Sequence, residues 1–400
     1  MRILLVTETL TVGGAETFVV RLANALAPTH LVTIAVLHGE MVNPALLDRL
    51  AGKVGIERLQ LPVKRQLFRF DGLLRRLGID WSVIRAFQRR WLLAIARRDL
   101  PDVLHSHLLK ADRVAADVCA RHPTAQHVLT FHGDYAPFMR GQADPQMLAL
   151  ERRMAAIVAD VDGIAAICRE HLEFVAAQFP EAMAKSKLIY NGYAPWPAQR
   201  AAVAMQDDAV LTFGLVSRGV EKKGWAKAIA AFATLRPGAA RLLLVGEGPA
   251  IDRLRREPMT DGVEFVGFSA DPVGWIDRFD VGLLPSEFPH ESLPTVVMEY
   301  LFCGKPVIAT DVGETGAMIR TPSGEFAGTL LDFDGFGIST DQLAAAMQAY
   351  LDDPALREVH ATRAAAAFAK FDMAAYAAAY AALYAEVAGE ASNSSISASH

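Results

Sequence analysis

The sequence predicts an α/β protein made of two Rossmann-like domains. Three observations carry that reading. Short apolar runs alternate with helical patterns, and the alternation occurs in two series separated by a linker-like stretch. A length of 400 residues also exceeds one ordinary core, so two domains of roughly 150–200 residues each are expected.

The first series opens with "RILLVTE" (2–8), a strand candidate, and "GGAETFVVRLANALAP" then turns into an amphipathic helix. Further strands are expected at 31–38, 101–107, 127–133 and 163–169. The second series places strands at 209–218, 240–248, 263–268, 281–286 and 305–311. Between them, the stretch 190–208, with Asn-Gly, two prolines and a polar end, reads as a linker, bounded at 193–208. The expected division is a first domain over 1–192, a second over 209–372, a final helix over 373–389 and a serine-rich, disordered tail over 390–400.

Composition narrows the function classes. A net charge of −5 gives no general attraction to nucleic acid. Cys119, Cys168 and Cys303 lack metal-ligand spacing and suggest a reducing compartment without a disulfide framework. The first residues are apolar too briefly for a signal peptide, and no run approaches the roughly 18 apolar residues of a membrane span. The expectation is a cytoplasmic, soluble protein.

Ligands of parallel sheets bind at the carboxyl ends of the strands, so two such domains facing each other put a ligand in the cleft between them. The residues after each strand are therefore the candidates. Gly13 and Gly14 allow a tight turn into a helix N-terminus, or merely join two elements; Glu16 suits the positive helix end. His132 follows the 127–133 strand core and reads either as a site residue or as a strand-end histidine bonded to backbone. His105 and His107 are read as structural. Arg218 and Lys223, five residues apart, can neutralise an anion with several oxygens, or form a solvated basic loop. "VGEGP" (245–249) is a second glycine-rich strand end.

The stretch "PSEFPHESLPTVVMEYLFCGKPVIATDVGE" (285–314) adds two acids around a helix start. Pro294 suits the first helical turn and Gly304 the C-terminal cap, giving a helix over about 294–302. The N–H groups around Ser292, Leu293 and Thr295 make an anion site. Glu291 precedes this helix and Glu299 lies on it, where a carboxylate can accept hydrogen bonds from vicinal hydroxyls. Dipole complementation for Glu291 and an exposed helix acid for Glu299 remain the plainer alternatives.

These motifs together resemble the retaining nucleotide-sugar glycosyltransferases of the GT-B fold, family 4. The resemblance rests on "GLVSRGVEKKG", "LLLVGEGP", "VEFVGFSAD" and above all the E-x7-E pair Glu291 and Glu299. "TVGGAETFVVRLANAL", "PDVLHSH", "TFHG" and "IYNG" support it in the first half, so it spans 1 to about 385.

The resemblance implies that Arg218 and Lys223 bind the donor diphosphate and that Glu299 holds the ribose. Glu291 would contact the transferred sugar, with His132 near it. Ser292, Leu293, Pro294 and Thr295 would meet sugar and phosphate. Gly14 would line the loop where donor and acceptor meet, and Phe268 would contact the donor. It also implies a final helix crossing back onto the first domain. The implied partners are a nucleotide-sugar donor and a glycan or lipid-linked acceptor in bacterial envelope polysaccharide synthesis, with no cofactor, no metal site and no nucleic acid. Cys168 and the charged residues Glu287 and His290 depart from the usual pattern, and Glu287 is a rival to Glu291. A nucleotide-sugar epimerase of the same architecture and a non-catalytic nucleotide-binding scaffold are the alternative readings.

One segment stands outside these motifs. "PVKRQLFRFDGLLRRLG" (62–78) carries Lys64, Arg65, Arg69, Arg75 and Arg76 against Asp71, interleaved with apolar residues. It reads either as an acceptor-side helix touching the inner face of the cytoplasmic membrane, or as a core helix with a basic outer face. The next segment, 80–98, is also basic and is expected to pack its apolar face on the sheet.

Overall fold

The computed structural model describes residues 1–400 except 12, 62–63, 78, 80, 123–124, 134–144, 197–209, 259, 270–271, 289–290 and 398–400; side chains of 64, 75, 145–152 and 390–397 are also outside the description. The chain divides into two units, Met1–Gly192 with Met373–His400, and Tyr193–Asp372.

The first unit runs β1 (Arg2–Thr7), α1 (Gly14–Leu26), β2 (Leu31–Val36), α2 (Pro44–Leu47), β3 (Gly55–Arg58), α3 (Lys64–Arg76), α4 (Val83–Asp99), β4 (Val103–His107), α5 (Leu109–Cys119), β5 (Gln126–Phe131), α6 (Pro145–Asp160), β6 (Gly163–Ala166), α7 (Arg169–Gln178) and β7 (Ser186–Leu188). Its sheet has the order β3-β2-β1-β4-β5-β6-β7. Leu4, Val6 and Leu104 meet Leu92, Ile95, Val114 and Val118 of the helices above them. Leu129, Phe131 and Ile164 pack with Ile157, Val158 and Val175. Parallel strands buried in this way read as continuous apolar runs.

The second unit runs β8 (Leu211–Val216), α8 (Trp225–Phe232), β9 (Ala240–Val245), α9 (Pro249–Leu254), β10 (Val263–Gly267), α10 (Val273–Ile276), β11 (Val281–Leu284), α11 (Thr295–Phe302), β12 (Val307–Thr310), α12 (Thr315–Met318), β13 (Gly328–Leu331), α13 (Thr340–Asp352) and α14 (Pro354–Phe368). The sheet order is β10-β9-β8-β11-β12-β13, all parallel. Phe213, Leu215, Trp225, Leu283, Met347 and Tyr350 lie in its core.

The last helix, α15 (Met373–Ser397), returns to the first unit and packs on α1 and β5. Tyr376, Tyr380, Leu383, Tyr384 and Val387 form its buried stripe. A Cβ on Gly163 would come within 3.1 Å of Val387 and 3.2 Å of Leu383, so the glycine lets the helix sit close to β6. The helix runs past Gly389 into the segment read as a disordered tail, as far as Ser397.

The core-helix reading of 62–78 fails. Among the described side chains of α3 only Asp71 is buried; Phe68, Phe70 and Leu73 are exposed. Asp71 accepts from the Ser82 hydroxyl and from the N–H groups of Val83 (2.8 Å) and Ile84 (3.3 Å). It thereby satisfies the unpaired donors that open α4, and so ties α3 to α4 by polar bonds rather than by an apolar face. By contrast α4 buries Leu92, Ile95 and Ala96, as its position before β4 suggests. No helix among the described residues is long and apolar enough to cross a membrane.

Candidate active site

In the second unit the predicted residues collect at the carboxyl ends of β8, β9 and β11. The turn after β8 is held by backbone contact that only glycine permits. Gly219 N–H donates to the Glu247 carbonyl at 2.7 Å, and its own carbonyl accepts from Ala250 at 2.9 Å. A Cβ on Gly248, at φ +144°, would lie 2.6 Å from that carbonyl. Gly224 has φ +76°, and a Cβ there would lie 1.9 Å from the Pro285 carbonyl. The buried Trp225 indole donates to the Arg218 carbonyl at 3.0 Å. The turn is thus rigid while the Arg218 side chain stays exposed, with no ion pair among the described residues.

Lys223 does not stand free beside Arg218. Its ammonium pairs with Glu291 Oε1, and both side chains are largely buried, at 11% and 8% exposure. The Ser286 hydroxyl donates to the same oxygen at 2.8 Å. The Glu291 carbonyl accepts from Glu314 N–H at 3.4 Å and faces Gly313, at φ +57°, where a Cβ would lie 1.8 Å away. Glu291 is therefore fixed from both the β11 and the β12 loops. A paired carboxylate of this kind is a hydrogen-bond acceptor and an electrostatic group, not a proton donor. The rival Glu287 is committed elsewhere: it pairs with Lys227 at 2.6 Å and accepts from Ile338 N–H at 2.9 Å. His290 lies outside the described residues.

Helix α11 starts one residue later than expected, with Pro294 as its N-cap at φ −66° and ψ 114°, and no side chain caps it. Its leading N–H groups carry the partial positive charge of an uncapped helix end. Ser292, Leu293 and Pro294 are buried before it, and Thr295 is exposed. Gly304, at φ +67°, closes the other end: its N–H donates to Leu301 at 3.0 Å, and Lys305 N–H to Tyr300 at 2.9 Å. Glu299 is half-buried on the second turn.

Tyr300, which the sequence reading did not single out, anchors this helix. Its hydroxyl accepts from Val216 N–H at 3.0 Å and donates to the Leu283 carbonyl at 3.1 Å, joining α11 to the ends of β8 and β11. Gly282 makes room, since a Cβ there would meet the ring at 2.5 Å. A tyrosine in an apolar helix opposite a glycine in "VGLL" was the available signal. Phe268, after β10, is 68% exposed, and its N–H donates to Glu247 at 3.3 Å, beside the glycine turn.

In the first unit, Gly13 and Gly14 differ in role. A Cβ on Gly13 would lie 2.2 Å from Glu16 Oε2, whose partner oxygen accepts from Thr9 (2.9 Å) and Thr11 (3.0 Å). Gly13 therefore allows Glu16 to brace the loop, whereas a Cβ on Gly14 would meet nothing within 4 Å and leaves open space at the helix start.

His132 is bonded to a residue read as merely structural: its Nε2 lies 3.0 Å from His107 Nδ1. Phe18 packs edge-on against the His132 ring, with centroids 4.7 Å apart. His105 bonds Tyr384 at 2.7 Å and Thr130 at 2.8 Å, and Thr130 bonds Tyr380 at 3.0 Å. His105 and Thr130 thus have partners on α15, 279 and 250 positions away in the chain, which no local pattern reveals. His107 Nε2 is buried without a hydrogen-bond partner among the described residues.

Burial lowers His105 and His107 well below the ordinary imidazole range. It brings His127 to about 3, and His132 also to about 3 with His171 adding to the effect. His132 is then a neutral hydrogen-bonding group. Burial likewise pushes the Cys119 and Cys303 thiols up to about 12, which removes them as nucleophiles.

A pH dependence follows with a definite sign. Histidines whose folded pKa lies below the unfolded value stabilise the fold above about pH 6.5, and that contribution is lost as pH falls toward the folded values. The melting temperature is expected to drop steadily below about pH 6.5, and His127→Gln is expected to shrink the slope in a calorimetric pH series. An unchanged slope would contradict the buried, neutral histidines.

Residues 12–195 match the family Glycosyltransferase Family 4, and residues 208–353 match Glycosyl transferases group 1. The lipopolysaccharide core biosynthesis glycosyltransferase LpsD of Rhizobium meliloti is 28% identical over 358 residues, covering 87% of this chain and 88% of that protein. A GDP-mannose-dependent phosphatidylinositol dimannoside mannosyltransferase of Mycobacterium tuberculosis is 34% identical over 91 residues, 22% of this chain and 23% of that one. Among solved structures, HepE of Anabaena in complex with UDP superposes with a TM-score of 0.72 at 20% identity, covering 96% of this chain and 100% of that one. Sucrose-phosphate synthase of Thermosynechococcus elongatus gives 0.72 at 20% identity, covering 97% and 99%.

Proposed function

We propose, for a chain that belongs to the glycosyltransferases of the GT-B fold, that it transfers a sugar from a nucleotide-diphosphate donor to a glycan or lipid-linked acceptor in envelope polysaccharide synthesis, with retention at the anomeric carbon. The observation that carries this reading is the convergence of Arg218, the Lys223–Glu291 pair and the uncapped start of α11 at the strand ends of the second unit. The LpsD name and the UDP complex of HepE support the substrate class.

When the bond from the sugar to the diphosphate breaks, negative charge grows on the diphosphate and positive character on the ring. Arg218, Lys223 and the N–H groups of α11 meet the first charge in a fixed arrangement, the form of stabilisation that contributes most in many active sites. Glu291 lies beside the second. Lys223 therefore acts on both: it balances the carboxylate before the donor binds and turns to the phosphate as charge develops there. Glu299 accepts from the ribose hydroxyls, and Phe268 offers a face to the base. The acceptor oxygen forms its bond to the anomeric carbon on the face the diphosphate leaves, and its proton passes to a donor phosphate oxygen.

Two outcomes test this. Donor turnover is expected to require an added acceptor and to yield a product with the donor's anomeric configuration in NMR spectra. Turnover to a free isomer without acceptor would mean epimerisation. Because the chain's own cations face the diphosphate, a chelator is expected to leave the rate unchanged; loss restored by magnesium or manganese would refute this.

The exposed helix α3 bears on the acceptor. Arg65, Arg69 and Arg76 are exposed with Phe68, Phe70, Leu73 and the following Leu77; Arg75 lies on the same helix, with its side chain outside the description. Basic and apolar groups mixed on one helix suit an anionic membrane surface. This supports peripheral contact with the inner face of the cytoplasmic membrane, where a lipid-linked acceptor would be met.

A further inference from the structure

We propose that His107 is a positioning residue: it holds the His132 ring in the tautomer with its proton on Nδ1, and so makes that ring a hydrogen-bond donor to a substrate oxygen. The proposal rests on the glycosyl-transfer reading, with His132 as a site residue of the first unit. It gives chemistry to a histidine otherwise read as structural.

The backbone fixes where the two rings stand. β4 is an interior strand, and its last residue, His107, is in register with Thr7 of β1 and Thr130 of β5. His132 is the first residue after β5. Immediately after His107 the chain turns at Leu108, with φ +75° and ψ 143°, a conformation that a leucine adopts only under constraint. Strain of this kind persists where the surroundings over-determine the backbone, and it collects at functional sites. The rings are clamped as well. The His105 and His107 centroids are 4.1 Å apart. Phe18 of α1 meets His107 at 5.8 Å and His132 at 4.7 Å, edge-on to both, and is itself backed by Tyr376 of α15 at 5.4 Å.

The hydrogen bonding then selects the tautomer. His107 Nδ1 and His132 Nε2 are 3.0 Å apart. Burial keeps both rings neutral, His107 well below the ordinary imidazole range and His132 at about 3, so each ring carries a single N–H. If His132 donated in this bond, the His107 proton would sit on Nε2, a buried atom with no hydrogen-bond partner among the described residues. A buried N–H without an acceptor is rarer than an acceptor without a donor, and it is costly. His107 therefore donates from Nδ1, His132 accepts at Nε2, and the His132 proton lies on Nδ1. That nitrogen makes no hydrogen bond among the described residues. Its ring is half-buried at the carboxyl edge of the sheet, where ligands of parallel sheets bind. A donor there selects a substrate oxygen that accepts; the opposite tautomer would instead require a substrate proton.

The test is nitrogen NMR of the full chain carrying isotope-labelled histidine, in which protonated and bare ring nitrogens differ in shift, read beside steady-state kinetics. His132→Gln identifies the His132 signals by their loss. The unmodified chain is expected to show a protonated Nδ1 and a bare Nε2 on His132; this readout stands even where a variant folds poorly. His107→Leu is expected to give His132 a mixture of tautomers and to lower kcat about tenfold with donor KM little changed, the scale of one neutral hydrogen bond lost in the transition state. His107→Asn, whose amide N–H stands in for Nδ1–H, is expected to recover both. Melting temperatures serve as the fold control.

A proton on His132 Nε2 in the unmodified chain overturns the proposal, as does a His132 tautomer unchanged in His107→Leu. A rate loss that His107→Asn leaves unrecovered while the tautomer returns means that His107 acts by packing alone, and the proposal fails. Full turnover in His132→Gln also sinks it, while the transfer reading stands. If the tautomers are as expected but no nucleotide sugar is turned over with any acceptor, the transfer reading fails and the hold of His107 on His132 stands.

Discussion

Arg218→Ala is expected to lower turnover by about 10²-fold or more while leaving the melting temperature near its original value. A group that meets charge developing in the transition state contributes on that scale, and Arg218 is exposed on a turn held by Trp225 and glycine contacts rather than by its own side chain. Lys223→Ala is expected to lose comparable activity and also stability. It would leave Glu291, 7% exposed, without its cation, and breaking a buried pair from one side costs about 3–5 kcal/mol. Adding Glu291→Gln to Lys223→Ala should recover much of the stability and none of the rate. Steady-state kinetics with calorimetry on the three variants separates the two roles. Near-normal turnover in both single variants, with folding intact, would put the diphosphate elsewhere.

The second large effect divides the two acids. Glu291→Gln keeps the shape and a hydrogen-bond acceptor for Ser286 but removes the charge proposed to lie beside the sugar, so it is expected to slow chemistry with little change in donor affinity. Glu299→Ala is expected to weaken donor binding mainly, by about tenfold, the loss of one or two charge-assisted hydrogen bonds. Donor titration by calorimetry, set beside single-turnover rates, checks this. Equal losses of donor affinity in both variants, with no separate loss of rate, would contradict the assignment.

The main strands and their site loops were legible because parallel strands buried on both faces leave apolar runs, and because close backbone approach leaves glycines, as at Gly219, Gly224 and Gly248. The short strands β3, β7 and β13 were not. "GIER", "SKL" and "GTLL" are three or four residues long, and β3 and β7 close the sheet at its edges, where apolar continuity is not required. The two acids around α11 could be named from their spacing. That Glu291 is paired with Lys223, 68 positions away, is a tertiary fact that spacing does not encode. The same holds for His107 with His132, and for Tyr300 under β8 and β11. For 62–78, composition allowed a core helix as readily as a surface one. The decision came from which side chains are buried, and among the described ones that is Asp71 alone.

The central claim is that the strand ends of the second unit bind a nucleoside diphosphate sugar. Its most direct test is the melting temperature of the full chain against a panel of UDP-, GDP- and ADP-sugars, since a ligand of the folded state stabilises by mass action, about 2.7 kcal/mol at a hundred times its Kd. The account predicts that at least one donor raises the melting temperature in a concentration-dependent way, and that Arg218→Ala sharply reduces the rise. No shift with any nucleotide sugar or nucleoside diphosphate at millimolar concentration, or a shift that Arg218→Ala leaves intact, would contradict it.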